Sequence, residues 1–176
     1  MWCELGRSDV SCAIEEQMQV IGLEKPLPLQ DDYAEPYWQA ARSHRLVLLR
    51  CAACENYVHP PAPRCPTCGG GRTLAWEDIG TDVRGEVYSY VIVERAVLRS
   101  FMADVPYVAA LCDLDRIPGI HIAANVFGCS VEDVHVGTRV RMVWEDRTPE
   151  VSLPQWVLDI AAATGSGASE RVSQIG

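Results

Sequence analysis

The 176-residue sequence lacks the features that mark membrane-spanning and secreted proteins. No apolar run approaches the roughly 20 residues that a bilayer span requires. The first residues show no basic segment followed by an apolar stretch, as a signal peptide would. We therefore expect a soluble protein of the reducing cytoplasm that does not bind membranes. Lysine is nearly absent: Lys25 is the single lysine and all other basic residues are arginine.

Catalytic signatures are also missing. The sequence contains no Gly-x-Ser-x-Gly, phosphate-binding loop, His-Glu-x-x-His or Rossmann glycine fingerprint. A nucleophilic Cys112 with His121 as its base is formally possible. A lone cysteine in a predicted strand is more often a small buried hydrophobe, however. We expect no catalytic residues, and a chain that is not catalytic by itself.

Two Cys-x-x-Cys pairs are the strongest signal that is present. Cys51 and Cys54 form the first pair, Cys65 and Cys68 the second, and ten residues separate them. Each turn directs two sulfur atoms toward one point, so that together they predict a four-thiolate metal site. Four soft ligands in a closed shell suit structural zinc and leave no open position for substrate. His59 lies between the pairs, and we interpret it as a bystander.

Other interpretations of these cysteines are weaker. Disulfides need an oxidising compartment. A thioredoxin-like redox turn opens a helix, and the prolines of this region oppose a helix. Iron is a closer rival, because a four-thiolate cage also holds iron and the Cys-Pro-x-Cys-Gly form of the second pair resembles a rubredoxin turn. The sequence does not separate zinc from iron.

The chain is acidic, with a formal net charge of −9. Zinc ribbons and small barrels that bind nucleic acid usually carry a basic face, so this charge argues against a nucleic-acid partner. Arg64 and Arg72 flank the second cysteine pair, and Arg95 and Arg99 follow a predicted strand. Together they could bind an anionic ligand, although a solvated surface is the simpler interpretation of each.

The order of elements predicts a mainly β protein with an N-terminal helix, a rubredoxin-like zinc ribbon and a C-terminal OB-fold barrel. Residues 1–17 show little periodicity, and Met18 is an alternative beginning. Small polar residues near the C-terminus predict disorder. The expected divisions are a tail over 1–29, the helix over 30–44, the ribbon over 45–78, the barrel over 79–160 and a disordered tail over 161–176.

Aromatic residues on the predicted helix allow two interpretations. Tyr33, Tyr37 and Ala41 fall on one stripe, with Trp38 beside it. These side chains either pack against the ribbon and barrel, which we favour, or form an exposed patch for a partner. Ser152 to Val157, which includes Trp156, is expected to pack back onto the body of the protein.

Beyond the cysteine turns, a series of residues in the middle of the chain follows a recognisable order and spacing. They are Tyr37-Trp38, Leu48-Leu49-Arg50, Cys51, Cys54, Pro60-Pro61, Cys65-Pro66, Cys68-Gly69, Trp76, Gly80, Gly85-Glu86-Val87-Tyr88-Ser89-Tyr90, Pro106-Tyr107-Val108-Ala109, Pro118-Gly119-Ile120, Asn125, Glu132-Asp133-Val134-His135-Val136-Gly137 and Val140. With these residues, the chain over about 30–157 resembles the DUF35 family of zinc-ribbon plus OB-fold proteins, which are associated with acyl-CoA. One departure is Glu55, where the family usually has glycine.

The resemblance implies an accessory role in lipid metabolism. Members partner thiolase-fold enzymes, including thiolases, synthases and the aldolases of steroid side-chain degradation, and some associate with MaoC-like enoyl-CoA hydratases. The expected function is therefore a non-catalytic subunit that helps form or shield the acyl-CoA site of such an enzyme. Candidate residues for the acyl-CoA or partner face are Tyr37, Trp38, Arg64 and Trp156. The alternatives are a nucleic-acid-binding ribbon-barrel and an iron-containing electron carrier.

Overall fold

The computed structural model describes residues 24–29, 31, 33–70 and 73–160. No helix in these ranges combines the length and the hydropathy that crossing a bilayer requires. The predictions for residues 1–23 and 161–176 lie outside the described residues. The elements are helix α1 (Glu35–Arg42) and strands β1 (Leu46–Cys51), β2 (Tyr57–Val58), β3 (Leu74–Gly80), β4 (Arg84–Val93), β5 (Tyr107–Leu114), β6 (Ile117–Phe127), β7 (Arg139–Thr148) and β8 (Val151–Leu158). Two short 3-10 helices occupy Arg99–Phe101 and Val131–Asp133.

Helix α1 begins with a proline in its first turn, where a missing backbone N–H costs nothing. Its N-cap is Ala34, and Asp31 lies one turn earlier, where its Oδ1 accepts the Ala34 backbone N–H at 2.7 Å. Tyr37 and Ala41, four residues apart, are the buried positions of the helix. The predicted stripe therefore faces the interior, whereas Tyr33 is 39% exposed.

The zinc-ribbon part is a three-stranded antiparallel sheet in the order β2-β1-β3. Strand β1 is central, with Leu49 opposite Val58 on one side and Cys51 opposite Leu74 on the other. The sheet brings the first cysteine turn, at the end of β1, next to the start of β3. This arrangement places both cysteine turns at one end of the ribbon.

The remaining five strands form a closed barrel in the order β4-β5-β6-β8-β7, which confirms the predicted barrel. All neighbouring pairs are antiparallel except β6 and β8, which pair in parallel through Val126–Trp156 and Phe127–Val157. The segment Ser152 to Val157 was expected only to pack against the body. It lies instead within β8, the strand that closes the barrel.

The ribbon and the barrel share one hydrophobic core. Leu46 and Leu48 of β1 are almost fully buried and belong to the same cluster as the barrel residues Val87, Ile122 and Trp156. A second, smaller cluster surrounds the cysteine turns and includes Leu49, Cys51, Val58 and Cys65. The ribbon is therefore packed against the barrel rather than tethered to it.

Candidate metal centre and binding surfaces

The four cysteines predicted as ligands come together in space. Their sulfur atoms all lie within 4.8 Å of one another. The sulfurs of Cys51 and Cys68 are 3.6 Å apart, as are those of Cys54 and Cys65. A tetrahedral ion with metal–sulfur bonds of about 2.3 Å holds its ligands about 3.8 Å apart. The side chains therefore fit a four-coordinate metal, and their sulfurs are too far apart for disulfides.

The backbone gives the two cysteine turns the same geometry. In the first turn, the Glu55 amide donates to the Cys51 carbonyl oxygen at 2.7 Å, and in the second the Gly69 amide donates to the Cys65 carbonyl at 2.8 Å. Glu55 and Gly69 both have positive φ, at 60° and 74°. Each turn thus folds its pair of sulfurs to one side of the chain.

Hydrogen bonds favour the thiolate form at Cys51. The Thr73 hydroxyl lies 3.3 Å from its sulfur. This contact, together with the backbone N–H of Cys54, lowers the pKa of Cys51 from 9.0 to about 6. The pKa of Cys65 is also lowered, first by the backbone N–H of Cys68. Thiolates are the metal-binding form of cysteine. Thr73 was not predicted, because its position just before β3 carries no signal in the sequence.

His59 lies outside the four-sulfur cluster. Its ring packs against Tyr37, with ring centroids 5.8 Å apart. Burial lowers the pKa of His59, and its Nδ1 has no hydrogen-bond partner among the described residues. The ring is therefore neutral and contributes to the packing between the ribbon and helix α1.

Two of the residues suggested for a partner face are in the interior. Trp156 is fully buried, and its indole N–H donates to the Ile122 carbonyl oxygen at 3.3 Å. Tyr37 is 6% exposed, and burial raises its pKa to about 12. Placing them on an exposed face was wrong, because Trp156 is at a position of β8 whose side chain is buried inside the barrel, and Tyr37 lies on the inward stripe of α1.

The other two suggested residues are accessible. Arg64 is exposed in the loop before Cys65. Trp38 is half-buried and contacts Tyr37 edge to face, with centroids 5.1 Å apart. Trp38 also lines a groove of about 370 Å³ at the junction of helix, ribbon and barrel. The other residues of this groove are Ala34, Tyr37, His59, Pro60, Pro61, Ala123, Ala124, Asn125, Leu153, Pro154 and Gln155.

The formal pairing of Cys112 with His121 is not possible. Cys112 is fully buried inside the barrel, and burial raises its pKa to about 12. His121 pairs across the sheet with Asp113, the residue next to Cys112. Because neighbouring residues of a strand face opposite sides, His121 lies on the outer surface, where its Nδ1 is 2.5 Å from Asp113. The thiol and the imidazole are on opposite faces of the sheet.

Comparison with known proteins identifies the family. Residues 38–75 match the model described as the ChsH2 rubredoxin-like zinc ribbon domain, and residues 76–145 match that of the ChsH2 C-terminal OB-fold domain. A DUF35 domain-containing scaffold protein from Methanocaldococcus jannaschii is 30% identical over 117 residues, which cover 66% of this chain and 79% of that protein. This chain belongs to the DUF35 family.

A second relative of this DUF35 chain is larger. The probable enoyl-CoA hydratase alpha subunit of Thermomonospora curvata is 35% identical over 118 residues, or 67% of this chain. The matched region spans 35% of that relative's length. The comparison therefore concerns one part of the larger protein.

Two solved structures share the fold of the DUF35 chain. A chain of the Ltp2-ChsH2(DUF35) aldolase superposes with a TM-score of 0.63 and 32% identity, over 75% of this chain and 98% of that one. A DUF35 protein of unknown function from Sulfolobus solfataricus superposes with a TM-score of 0.53 over 87% of this chain and 100% of that one. Its identity is 16%, so it supports the fold alone.

Proposed function

We propose that this chain is a non-catalytic accessory subunit of an enzyme that acts on acyl-CoA. The observation that carries the proposal is the match to a chain of the Ltp2-ChsH2(DUF35) aldolase, which extends over 98% of that chain at 32% identity. A match of this extent includes both the ribbon and the barrel. The partner we propose is accordingly a thiolase-like enzyme, with an aldolase of steroid side-chain degradation as its leading type.

A hydratase is the second candidate partner. The relative described as an enoyl-CoA hydratase alpha subunit contains, within a longer chain, a region similar to 118 residues of this one. A MaoC-like hydratase acting on the same acyl-CoA would then lie next to the accessory subunit. Both candidates use coenzyme A thioesters, so the proposed substrate class is the same.

For the metal, we propose zinc in a purely structural role. All four protein ligands are thiols, and their spacing fits a closed tetrahedral shell. Bound zinc would hold the two cysteine turns together and leave no position for substrate. The four thiols must stay reduced to bind it, which makes the cytoplasm the proposed location.

Among the sequence-predicted site residues, Trp38 and Arg64 remain candidates for contact with acyl-CoA or the partner. Trp38 offers an aromatic surface in the groove where helix, ribbon and barrel meet. Arg64 offers an exposed positive charge beside the second cysteine turn. These positions suit an apolar group and an anionic group, respectively.

The experiment that tests the partner is purification of the tagged full chain from its source organism, followed by mass spectrometry and an assay of the complex. We expect a thiolase-like or hydratase subunit in stoichiometric amount. Its activity on a coenzyme A thioester should fall when the accessory chain is removed. Recovery of nucleic acid, or of no enzyme subunit, would contradict the proposal.

The identity of the metal is tested separately by elemental analysis and absorption spectroscopy of the purified chain. We expect one zinc ion per chain and a colourless protein. Iron in a four-thiolate site gives a coloured, redox-active protein, and that result would favour the electron-carrier alternative. Cys51→Ser should lower the metal content sharply, whereas Cys112→Ser, outside the cluster, serves as the matched control.

A further inference from the structure

The outer surface of the barrel carries an apolar area on three adjacent strands. Val91 of β4 lies opposite Ala109 of β5, and Leu111 of β5 lies opposite Ala123 of β6. Val91 is 59% exposed and Leu111 is 40% exposed. We call these four residues the β4–β6 face. Contiguous exposed apolar patches, as opposed to single apolar residues, can mark sites of protein association.

Charge is absent from this face, although the whole chain has a formal net charge of −9. A shallow groove of about 410 Å³ runs along it, and none of its lining residues is charged at neutral pH. The lining residues are Ser89, Tyr90, Val91, Ala109, Ala110, Leu111, Ala123, Ala124 and Asn125.

Elsewhere on the described surface, several charged side chains form ion pairs. Arg139 binds Asp115, Arg45 binds Asp78, and Lys25 lies 2.6 Å from Asp104. None of the residues that line the groove takes part in an ion pair among the described residues. The β4–β6 face therefore differs from its surroundings in electrostatics as well as in hydropathy.

We propose that the β4–β6 face is the docking surface for the catalytic subunit of the complex, and that an uncharged apolar surface of that subunit covers it. The inference rests on the proposed accessory function. An uncharged groove provides no counter-charge for the phosphates of coenzyme A or of nucleic acid, which need cationic partners. An apolar protein surface carries no charge that would have to be desolvated there, and it gains from the burial of Val91 and Leu111.

Substitutions that introduce a positive or a negative charge test whether an uncharged apolar surface covers the β4–β6 face. The variants are Val91→Lys, Val91→Glu, Leu111→Lys and Leu111→Glu, each in the tagged full chain expressed in the source organism. The controls are Val136→Lys and Val136→Glu, because Val136 is 69% exposed but lies outside the barrel strands. The yield of the acyl-CoA enzyme subunit relative to the tagged chain is measured by mass spectrometry. Metal content and unfolding temperature confirm that each variant is folded.

We expect both signs at Val91 and at Leu111 to reduce recovery of the enzyme subunit at least tenfold, and both Val136 variants to leave it within twofold. If lysine raises recovery while glutamate lowers it, the occupant is anionic and the inference is wrong. If every folded variant retains the enzyme subunit, the β4–β6 face is not the docking surface and the inference is wrong, but the accessory function stands.

Two further outcomes separate the inference from the proposed function. If the unmodified chain recovers no enzyme subunit, both are overturned. If light scattering shows that the isolated chain is a dimer and that charges at Val91 or Leu111 make it monomeric, a second copy covers the face, and the inference is overturned.

Discussion

Glu55 and Gly69 occupy equivalent positions, directly after the second cysteine of each metal-binding turn, and both have a left-handed backbone. Their φ angles are 60° and 74°. Glycine adopts this region freely, whereas a residue with a Cβ is strained there by roughly 1–2 kcal/mol. The two turns therefore share one geometry, but only the second has the residue that suits it. The DUF35 resemblance expects glycine at both positions.

Glu55→Gly should stabilise the protein. Relief of the left-handed strain is partly offset by the greater freedom of glycine in the unfolded chain, about 0.4–1 kcal/mol, so we expect a net gain of about 0.5–1 kcal/mol. Urea unfolding at a fixed concentration of free zinc measures this change in the free energy of unfolding. Glu55→Ala, which keeps the strain and removes only an exposed carboxylate, should change stability by less than about 0.5 kcal/mol. An equal gain in both variants would show that removal of the Glu55 carboxylate, and not relief of the left-handed backbone, causes the stabilisation.

Gly85→Ala should destabilise the barrel strongly. A Cβ at Gly85 would lie 1.9 Å from the carbonyl oxygen of Asp113 on the neighbouring strand. Backbone atoms of a paired strand cannot move aside, so we expect a loss of about 3 kcal/mol or more in the free energy of unfolding. Gly119→Ala is the matched control, because φ there is 79° and no atom lies within 4 Å of the added Cβ. It should cost only about 1 kcal/mol.

Cys112 should be inert in the native protein. With its pKa raised to about 12, only about one thiol in ten thousand is ionised at pH 8, and the side chain is fully buried. Iodoacetamide labelling followed by peptide mass spectrometry should find Cys112 unmodified until denaturant is added. Cys129 is half-buried and serves as the internal comparison. We expect Cys129 to be labelled before Cys112. Rapid native labelling of Cys112 would contradict its burial.

Substitutions of Trp156 and Trp38 should have opposite effects on stability and on partner binding. Trp156→Phe removes a buried indole and its hydrogen bond to Ile122, so we expect a loss of about 2 kcal/mol in stability and normal partner recovery from the folded fraction. Trp38→Ala should change stability less and lower partner recovery. Thermal unfolding and co-purification separate the two effects. If the folded Trp156→Phe variant no longer recovered the partner, Trp156 would have to contribute to partner binding, contrary to our interpretation.

The clustering of the four cysteines and much of the β pattern could be predicted because their signals are local. Cysteine spacing determines which sulfurs can meet, and Tyr107–Leu114 forms the predicted strand with alternating burial. The closing strand was missed for a physical reason. Val151–Leu158 contains Pro154, and its place in the barrel depends on β6 and β7, which are distant in sequence.

Residue exposure was harder to predict than element type. Tyr37 and Trp38 are adjacent on one helix, and only the packing of α1 against the core makes the first buried and the second accessible. The β4–β6 face was not recognised for the same reason. Val91 and Leu111 lie far apart in the chain and become neighbours only when β4 and β5 pair. No local pattern indicates that, within residues 24–160 as the structure describes them, this side of the sheet is left exposed.

Strand β1 connects the four-cysteine cluster to the barrel within six residues. Leu46 and Leu48 contribute to the barrel core, while Leu49 and Cys51 belong to the cluster around the metal ligands. Loss of the metal would therefore loosen a strand that also completes the barrel interior. We expect the availability of the metal to set the lifetime of the whole subunit in the cell, and thereby the amount of assembled enzyme.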